Sequence, residues 1–512
     1  MGYCEIICKL PTGYDEDELR RAIRTTLDIS DFSFQIEGKS LDARKKHDIH
    51  WVLRIAVLSD EINGGESPSR PALSIPYRKR NKKILVTGSG PAGFFAAYVL
   101  QKAGFRTTII ERGAEVKKRA RGIIDFESGG PFNPTCNYAF GEGGAGTFSD
   151  GKLTSRSKHL SIEKDFILKS YIRAGAPEEI RYMAHPHLGS DNLKTIVRNL
   201  RRAYLHSGGT ILFETSLIDI RVVRSHVMEA ETSAGIYETD YCIIAPGHSA
   251  YETYRMLMSK GAPFQIKNFA IGSRVEHFQE LINLAQWGRA ELPGVKAAEY
   301  RLTSKGDGIL PVYTFCMCPG GMVAPATAYG HTNIVNGMSR YKRNGAFANA
   351  ACVAAVNPEE LRGQKTGPRE ALQWLEDLEE KFFDYTGGFS APYCSIKNFI
   401  REEEPSGTVA TSYPLGLKPA ALWEMLPAPV SAALREGLKH FSQKLQGFEQ
   451  GIIMGLESKT SSPIQALRDR GGLCRGFDNL FLVGEGSGWT GGIISSGADG
   501  IRTALHIIDR TE

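Results

Sequence analysis

The 512-residue sequence has no apolar run approaching the ~20 residues that a membrane-spanning helix requires, so no membrane partner is expected. Its opening, MGYCEIICKLPTGYDEDELRR, lacks both a basic leader and a long apolar core, and no signal peptide is read there. Cysteine is sparse: nine residues, an odd number, with only Cys4/Cys8 and Cys316/Cys318 close in sequence. That scatter excludes a disulfide framework and fits reduced thiols in the cytoplasm. Neither sign of charge dominates. A net +5 from 62 basic and 57 acidic residues is too small to point to a nucleic-acid partner. No second Cys or His pair with ligand spacing lies near Cys316 and Cys318, so no metal site is expected. What remains is an ordinary globular composition, 42% apolar and 23% charged, in a chain long enough for about two or three domains.

Glycine is abundant, with 55 residues, and one stretch gives it meaning: Lys82 to Gly113, KKILVTGSGPAGFFAAYVLQKAGFRTTIIERG. Ile84 to Thr87 reads as a buried parallel strand. Gly88, Gly90 and Gly93 follow with the spacing G-x-G-x-x-G, and Pro91 sits at a first helical position. The spacing predicts a helix over Ala92 to Ala103 and a second strand over Arg106 to Ile110, closed by Glu111. Gly88 permits the tight turn, Gly90 lets backbone approach a pyrophosphate, and Gly93 allows close helix–strand packing. The helix N-terminus offers free N–H groups and about half a positive charge to the phosphates. A lone glycine triplet would mean little. Set between two strands and closed by an acid that can hold a ribose, it predicts a dinucleotide site.

Residues 1–60 read as a small α+β module: a strand over Glu5 to Leu10, a helix over Asp15 to Leu27 and a half-buried strand over Ile49 to Leu58. Arg44, Lys45, Lys46 and His47 fall between them, and a solvated hairpin tip is favoured over an RNA contact. The module holds nine Lys/Arg against eleven Asp/Glu, which argues against RNA binding. Residues 61–81 are a Gly/Ser/Pro-rich linker whose basic end, Arg78 to Lys83, is expected to be solvated. A second glycine-rich segment, FGEGGAGTFSDGKL, repeats the fingerprint spelling at Gly141, Gly143 and Gly146. No β-branched strand precedes it, so a second nucleotide fold is rejected; its small residues instead let backbone pass against a flat ring. A helix is expected over 191–205, a strand over Thr210 to Phe213, a meander over Ile218 to Tyr237 and a buried strand over Tyr241 to Ala245. Residues 256–470 mix strands and helices, including a strand over Val312 to Met317 and a helix over Pro368 to Phe382. The chain then returns to strand, glycine-rich turn and a helix from about Ser496.

One early fingerprint, a strand–Pro–Gly at 241–247 and VGEGSGWTGG near the end resemble two-domain flavoproteins of the glutathione-reductase superfamily. Within it, GEGGAGTFSDGKL, IAPGHSA, FCMCPGG, ESKTSSPIQALRD and GEGSGWTGGI resemble the family of FAD-dependent, or NAD(FAD)-utilising, dehydrogenases, and SLDARKK in the N-terminal module fits it too. The resemblance implies an α/β fold: a discontinuous Rossmann-like FAD-binding domain over 82–255 and 471–512, an inserted α+β substrate domain over 256–470, and the N-terminal module. It also implies FAD contacts. Gly88, Gly90, Pro91, Ala92 and Gly93 would cradle the pyrophosphate, Glu111 would hold the ribose with Arg112 beside the adenine, and Leu217 would meet the adenine edge. Gly143, Gly144, Ala145, Gly146, Thr147 and Phe148 would run along the isoalloxazine, with Gly247 and His248 near the cofactor. Gly484 and Glu485 match a late Gly-Asp motif with Glu in place of Asp, and Gly491, Gly492 and Ile493 would present N–H groups to the pyrimidine end of the ring. Backbone donors there would stabilise the negative charge that two-electron reduction places near N1 and O2.

Only Cys136 lies between Gly113 and Phe148, so a dithiol reductase with its redox pair there is discarded. Cys316 and Cys318, two apart on a predicted strand, share one face and are candidates for lining a substrate cavity or for redox chemistry, against the alternative of buried inert thiols. His187 is a candidate acid–base, or a cap for the helix that Ser190 begins. Glu457, Lys459 and Arg468 are read as a charged wall or a packed salt-bridge network. The expectation is an FAD-dependent oxidoreductase moving hydride between a small organic substrate and flavin. No second fingerprint exists, so NAD(P)H enters only as a transient donor or acceptor. The rival readings are a flavin monooxygenase, an RNA-modifying or RNA-binding flavoprotein, and a carrier holding FAD structurally. The oligomeric state is not legible.

Overall fold

The computed structural model describes residues 2–68, 71–155, 159–306, 310–405 and 407–511; Ser69 and Arg70 of the expected linker lie outside them. Five short apolar strands form one parallel sheet, in the spatial order Leu480–Leu482, Tyr241–Ile244, Lys83–Thr87, Arg106–Ile110 and Thr210–Leu212. Successive residues of a strand enter different cores, because side chains alternate between the faces of a sheet. Ile84 and Ile243 pack with the helices Pro91–Lys102, Ser161–Arg173, Gly189–His206 and Ile493–Asp509. Leu85 and Ile244 pack with the antiparallel meander Leu217–Val223, His226–Thr232 and Gly235–Glu238 and with the Tyr251–Ser259 helix. Covered on both faces, Lys83–Thr87, Tyr241–Ile244 and Leu480–Leu482 have almost no polar side to show, which is why they read as apolar runs.

The first and last helices of this unit cross closely. A Cβ on Gly500 would stand 2.0 Å from the Ala92 carbonyl oxygen, so only glycine lets the Ile493–Asp509 helix lie against Pro91–Lys102. That contact brings the first and last helices of this unit, far apart in sequence, to one place.

A second, larger sheet takes the order Thr303–Ser304, Val312–Pro325, Phe347–Val356, Phe269–Phe278, Ile452–Glu457, Ala391–Ser395 and Leu417–Pro419, with Val335–Ser339 also pairing Val312–Pro325. The helices Pro368–Thr386 and Ala428–Lys444 bury their apolar faces in the core it shares. The Val312–Pro325 strand runs past the expected end at Met317, through Pro319, Gly320 and Gly321. It stays in the sheet by shifting register between Phe315 and Cys318 and again before Gly321, bulges that absorb the turn-forming residues.

The N-terminal module is a three-stranded sheet with the order Gly2–Pro11, His50–Ser59, Ser33–Asp42. Its Glu16–Leu27 helix starts on a reciprocal cap in which Asp15 accepts from the Glu18 amide and Glu18 from the Asp15 amide. Ser33–Asp42 carries too little apolar alternation to be read from sequence. It docks the module by pairing with 182–184: Lys39 N–H donates to Tyr182 O at 2.8 Å and Ala184 N–H to Lys39 O at 2.9 Å. Arg44 to His47 form an exposed turn between two strands. The expectation that the basic run before Lys83 is solvated fails at Arg80. Its guanidinium is buried, donates to Ala103 O at 2.5 Å and lies over the Phe105 ring, tying the approach segment to the first helix. No helix among the described residues is long and apolar enough to cross a membrane.

Candidate functional site

The Lys83–Thr87 strand ends on Gly88 at φ +97°, where a Cβ would meet Ala245 O at 2.2 Å. Gly93 is equally constrained, its Cβ position lying 2.0 Å from Gly88 O. Gly90 is different. It is the N-cap of Pro91–Lys102, has no side-chain cap and no acid in the following turn, and its Cβ position finds only Gly144 Cα at 3.7 Å. The helix therefore points uncapped N–H groups into an open space, the arrangement that binds anions.

Glu111 is buried at the end of Arg106–Ile110 and gathers three segments. One oxygen accepts from Ser89 N and Oγ at 2.9 and 2.8 Å, the other from Gly113 N at 2.9 Å and Gly141 N at 3.0 Å. A ribose at this acid shares it with four donors. Arg112 lies 4.0 Å over the Phe140 ring and pairs with Glu252. Leu217 opens the meander with a buried side chain; the residues after Thr210–Leu212 that bond to the Glu111–Gly113 turn are Glu214 and Thr215.

The second glycine-rich loop is held from beneath by Arg119, a fully buried arginine of the Val116–Glu127 helix. It donates to the carbonyls of Asn137 (2.8 Å), Tyr138 (2.9 Å), Glu142 (3.0 Å) and Gly144 (2.8 Å) and packs 4.7 Å over Phe148. Gly143 and Gly144 have positive φ, and Ala145–Phe148, including Thr147, form one 3-10 turn with no preceding strand. A Cβ on Gly144 would come within 3.0 Å of Gly90 Cα, and one on Gly146 within 3.2 Å of Ile493. The loop thus spans the space between the first and last helices.

The late turn arrives from the other side. Gly484, at φ +82°, donates its amide to Asp499 at 2.8 Å and places its Cβ position 2.9 Å from the Ala92 side chain. Gly492 N-caps a helix that begins at Ile493, three residues ahead of the Ser496 start expected from sequence, and it too has no side-chain cap. Glu485 is pushed up to about 7 by burial and by the nearby Cys316, against the Gly492 amide and Lys267. His248 Nε2 stands 4.0 Å from Glu485, and burial and then Lys459 push it down to about 3. Gly247, at φ +76°, has nothing within 4 Å of its Cβ position.

Residues 268–460 match the family described as FAD-dependent protein, C-terminal domain-like, and residues 81–125 match the FAD binding domain family. An uncharacterized protein of Clostridium beijerinckii is 36% identical over 92% of this chain and 91% of its own. The chain belongs to an FAD-dependent oxidoreductase family. FAD is its cofactor. An L-glutamate oxidase precursor of Streptomyces viridosporus is 39% identical over 81 residues, 14% of this chain and 12% of its own. A solved flavoprotein/dehydrogenase of Cytophaga hutchinsonii shares 12% identity over 84% of this chain and 79% of its own, at a TM-score of 0.37, too low to carry an argument.

Residues that can hold FAD are thus the two uncapped helix N-termini, at Gly90 and Gly492, and the three glycine-rich turns between them. Thr87 Oγ1 is buried at the mouth of the first turn without a hydrogen-bond partner, a polar atom that a cofactor oxygen or nitrogen would satisfy. Beyond Phe148 the same loop enters a charged cluster. Asp150 is fully buried and takes Arg343 Nε at 3.0 Å, with Lys152 at 3.6 Å. Burial opposes the Asp150 charge, but Arg343 and Lys152 overcome it and hold the carboxyl below its ordinary range. His187 borders this cluster, pushed down to about 4 by burial and by Arg343. Its Nε2 bonds Tyr341 O at 3.0 Å, and the Gly189–His206 helix has no side-chain cap, so the capping expectation for His187 is wrong. The hydrogen bond it makes lies toward a neighbouring backbone instead.

Glu457, Lys459 and Arg468 form neither one wall nor one network. Each has its own partner: Arg274 at 2.6 Å, Glu379 at 2.7 Å and Asp499 at 2.7 Å. Cys316 is partly exposed and Cys318 buried, and Arg274 donates to Cys316 O at 2.9 Å and lies 3.7 Å from Cys318 Sγ. Sequence reading missed Arg119 and Asp499. Both carried a signal, a charge at a position whose helical spacing calls for an apolar residue: Arg119 aligns with Val116, Ile123 and Phe126, and Asp499 lies within the buried face of the last helix.

Proposed function

We propose that FAD lies across the crevice between the early and late turns, and that the chain exchanges hydride between it and a small organic substrate. In this reading the parallel sheet is a discontinuous Rossmann-like domain over 82–255 and 471–512, as in glutathione-reductase-like two-domain flavoproteins. The antiparallel sheet within 256–470 provides the substrate side, and 1–60 is an appended module. The observation that carries it is the convergence of Gly90, Gly144 and Gly484 on one place from three distant parts of the sequence.

Ser89 to Gly93 offer amide N–H groups and the helix dipole to the pyrophosphate, while Glu111 orients the ribose. The segment from Gly143 to Phe148 lines the isoalloxazine on one side, stiffened by Arg119. When bound, FAD supplies a two-electron acceptor of hydride. The amides beginning the Ile493–Asp509 helix stabilise negative charge at the pyrimidine end, and Asp499 fixes the approach by holding the Gly484 amide. Glu485, pushed up to about 7, holds or releases a proton near neutrality, and His248 beside it stays neutral. No second dinucleotide fingerprint is present in the sequence, so NAD(P)H visits transiently or the substrate itself is the electron partner. The nine free cysteines support a cytoplasmic setting.

The test is anaerobic addition of NADH, NADPH and a panel of small metabolites to the purified yellow protein. Bleaching of the flavin by one donor class is expected. A protein that no donor bleaches would favour a structural role for FAD.

A further inference from the structure

Of the nine cysteines, seven are buried, and burial pushes Cys242, Cys394 and Cys474 up to about 12 and Cys352 higher still. These are inert thiols. Cys316 and Cys318 differ from them in four independent ways. First, Cys316 is a non-glycine residue at φ +44°, a strained conformation that persists only where the surroundings impose it. Second, this kink and the register shift around it turn Cys318 back toward Cys316, with Cys318 Sγ hydrogen-bonded to Cys316 O at 3.4 Å. Third, two cations hold the segment: Arg274 donates to Cys316 O and approaches Cys318 Sγ, and Lys152 donates to Met317 O. Fourth, Lys152 continues the 143–148 loop, and Cys316 lies close enough to Glu485 of the late turn to raise its carboxyl.

We propose that Cys316 and Cys318 form a redox-active dithiol that exchanges two electrons with FAD. This rests on the placement of FAD between the 143–148 loop and the late turn. Cys316, the less buried residue, is the thiolate, and Cys318 is its buried thiol partner. The hydrogen bond from Cys318, and then Lys152 and Arg274, push Cys316 down to about 6, while Cys318 is pushed up. In the step, one S–S bond forms and the Cys318 S–H bond breaks. The electron pair and that proton pass to oxidised FAD, which becomes its singly protonated reduced anion. In reverse, reduced FAD opens the disulfide. A substrate that is itself a disulfide or a thiol-reactive oxidant would enter at Cys316.

The experiment uses the holoprotein oxidised by diamide. Mass analysis of the peptide spanning both cysteines is expected to show loss of two hydrogens, and maleimide should no longer label either thiol. Anaerobic photoreduction of the bound FAD should then restore two maleimide-reactive thiols per chain. Electron uptake should be twice that of Cys318→Ser. Should that variant fail to fold, the wild-type mass change and thiol count decide alone. Thiols that stay fully labelled after diamide overturn the redox pair and leave the FAD placement intact. A disulfide that forms but does not open when FAD is reduced overturns the electron exchange and counts against the placement.

Discussion

His248 Nε2 stands 4.0 Å from Glu485 Oε1, joining the turn that follows Tyr241–Ile244 to the turn that follows Leu480–Leu482. At neutral pH this is not a full ion pair. Burial holds the histidine neutral, at about 3, and holds the carboxyl up at about 7. The chain has therefore placed two groups beside the proposed flavin site that resist charge from opposite directions.

Stability should reflect the raised Glu485. Folded Glu485 binds its proton more tightly than in the unfolded chain, so its contribution is fully present below 4.5 and is lost as pH rises through about 7. Glu485→Gln removes that loss. Its thermal midpoint should exceed wild type at pH 8 by the equivalent of about 1–3 kcal/mol, and the gap should close by pH 5. An equal gap at both values would show that Glu485 is not so perturbed. His248 slopes the other way, losing stability as pH falls below its ordinary 6.5.

Two neighbouring glycines should fail differently. Gly90 has ordinary backbone angles and an open Cβ position, so Gly90→Val should fold with little loss of stability yet purify colourless. Gly93→Ala drives a Cβ against Gly88 O and should lower the thermal midpoint whether or not FAD is added. Stoichiometric FAD retained by Gly90→Val would end the proposed pyrophosphate site.

Arg119 is expected to act on FAD through the loop it holds. Arg119→Met leaves four buried carbonyls without their donor and should cost about 3–5 kcal/mol in stability, with weakened FAD binding by fluorescence titration. Arg119→Lys should rescue little, since an ammonium cannot reproduce the planar fork. Wild-type FAD affinity in both variants would separate the loop from the cofactor.

His187→Gln should leave the pH profile of flavin reduction unchanged and slow it by no more than about twofold, because its Nε2 is already engaged by Tyr341 O. Loss of a titration step in that variant would restore His187 as an acid–base.

Much of the parallel unit was legible because its central strands are buried on both faces and the turns after Lys83–Thr87 and Leu480–Leu482 are spelled in glycine. The Lys83–Thr87 strand, the Pro91–Lys102 helix and Arg106–Ile110 follow the fingerprint almost residue for residue. Legibility fell where tertiary pairing overrode local preference. Val312–Pro325 carries a Pro-Gly-Gly run past the end expected at Met317, and strands on both sides take up the chain again at Gly321 after a bulge. Arg80 read as solvated and Arg119 went unread because a lone charge is costly to bury; each is buried where backbone carbonyls from another segment meet it.

By itself the sequence determined the tight strand–turn–helix near residue 90, since Gly88 and Gly93 are positions that only glycine can fill there. It also marked the late glycine-rich turn, through GEGSGWTGG. What it left open was which distant residues would meet. Folding decided that Asp499 would hold Gly484, that Arg119 would stand under Gly144, and that Lys152 and Arg274 would flank Cys316 and Cys318. Each of those contacts joins parts of the chain that no local spacing relates, and each depends on a charge finding its partner only after the cores have closed around it.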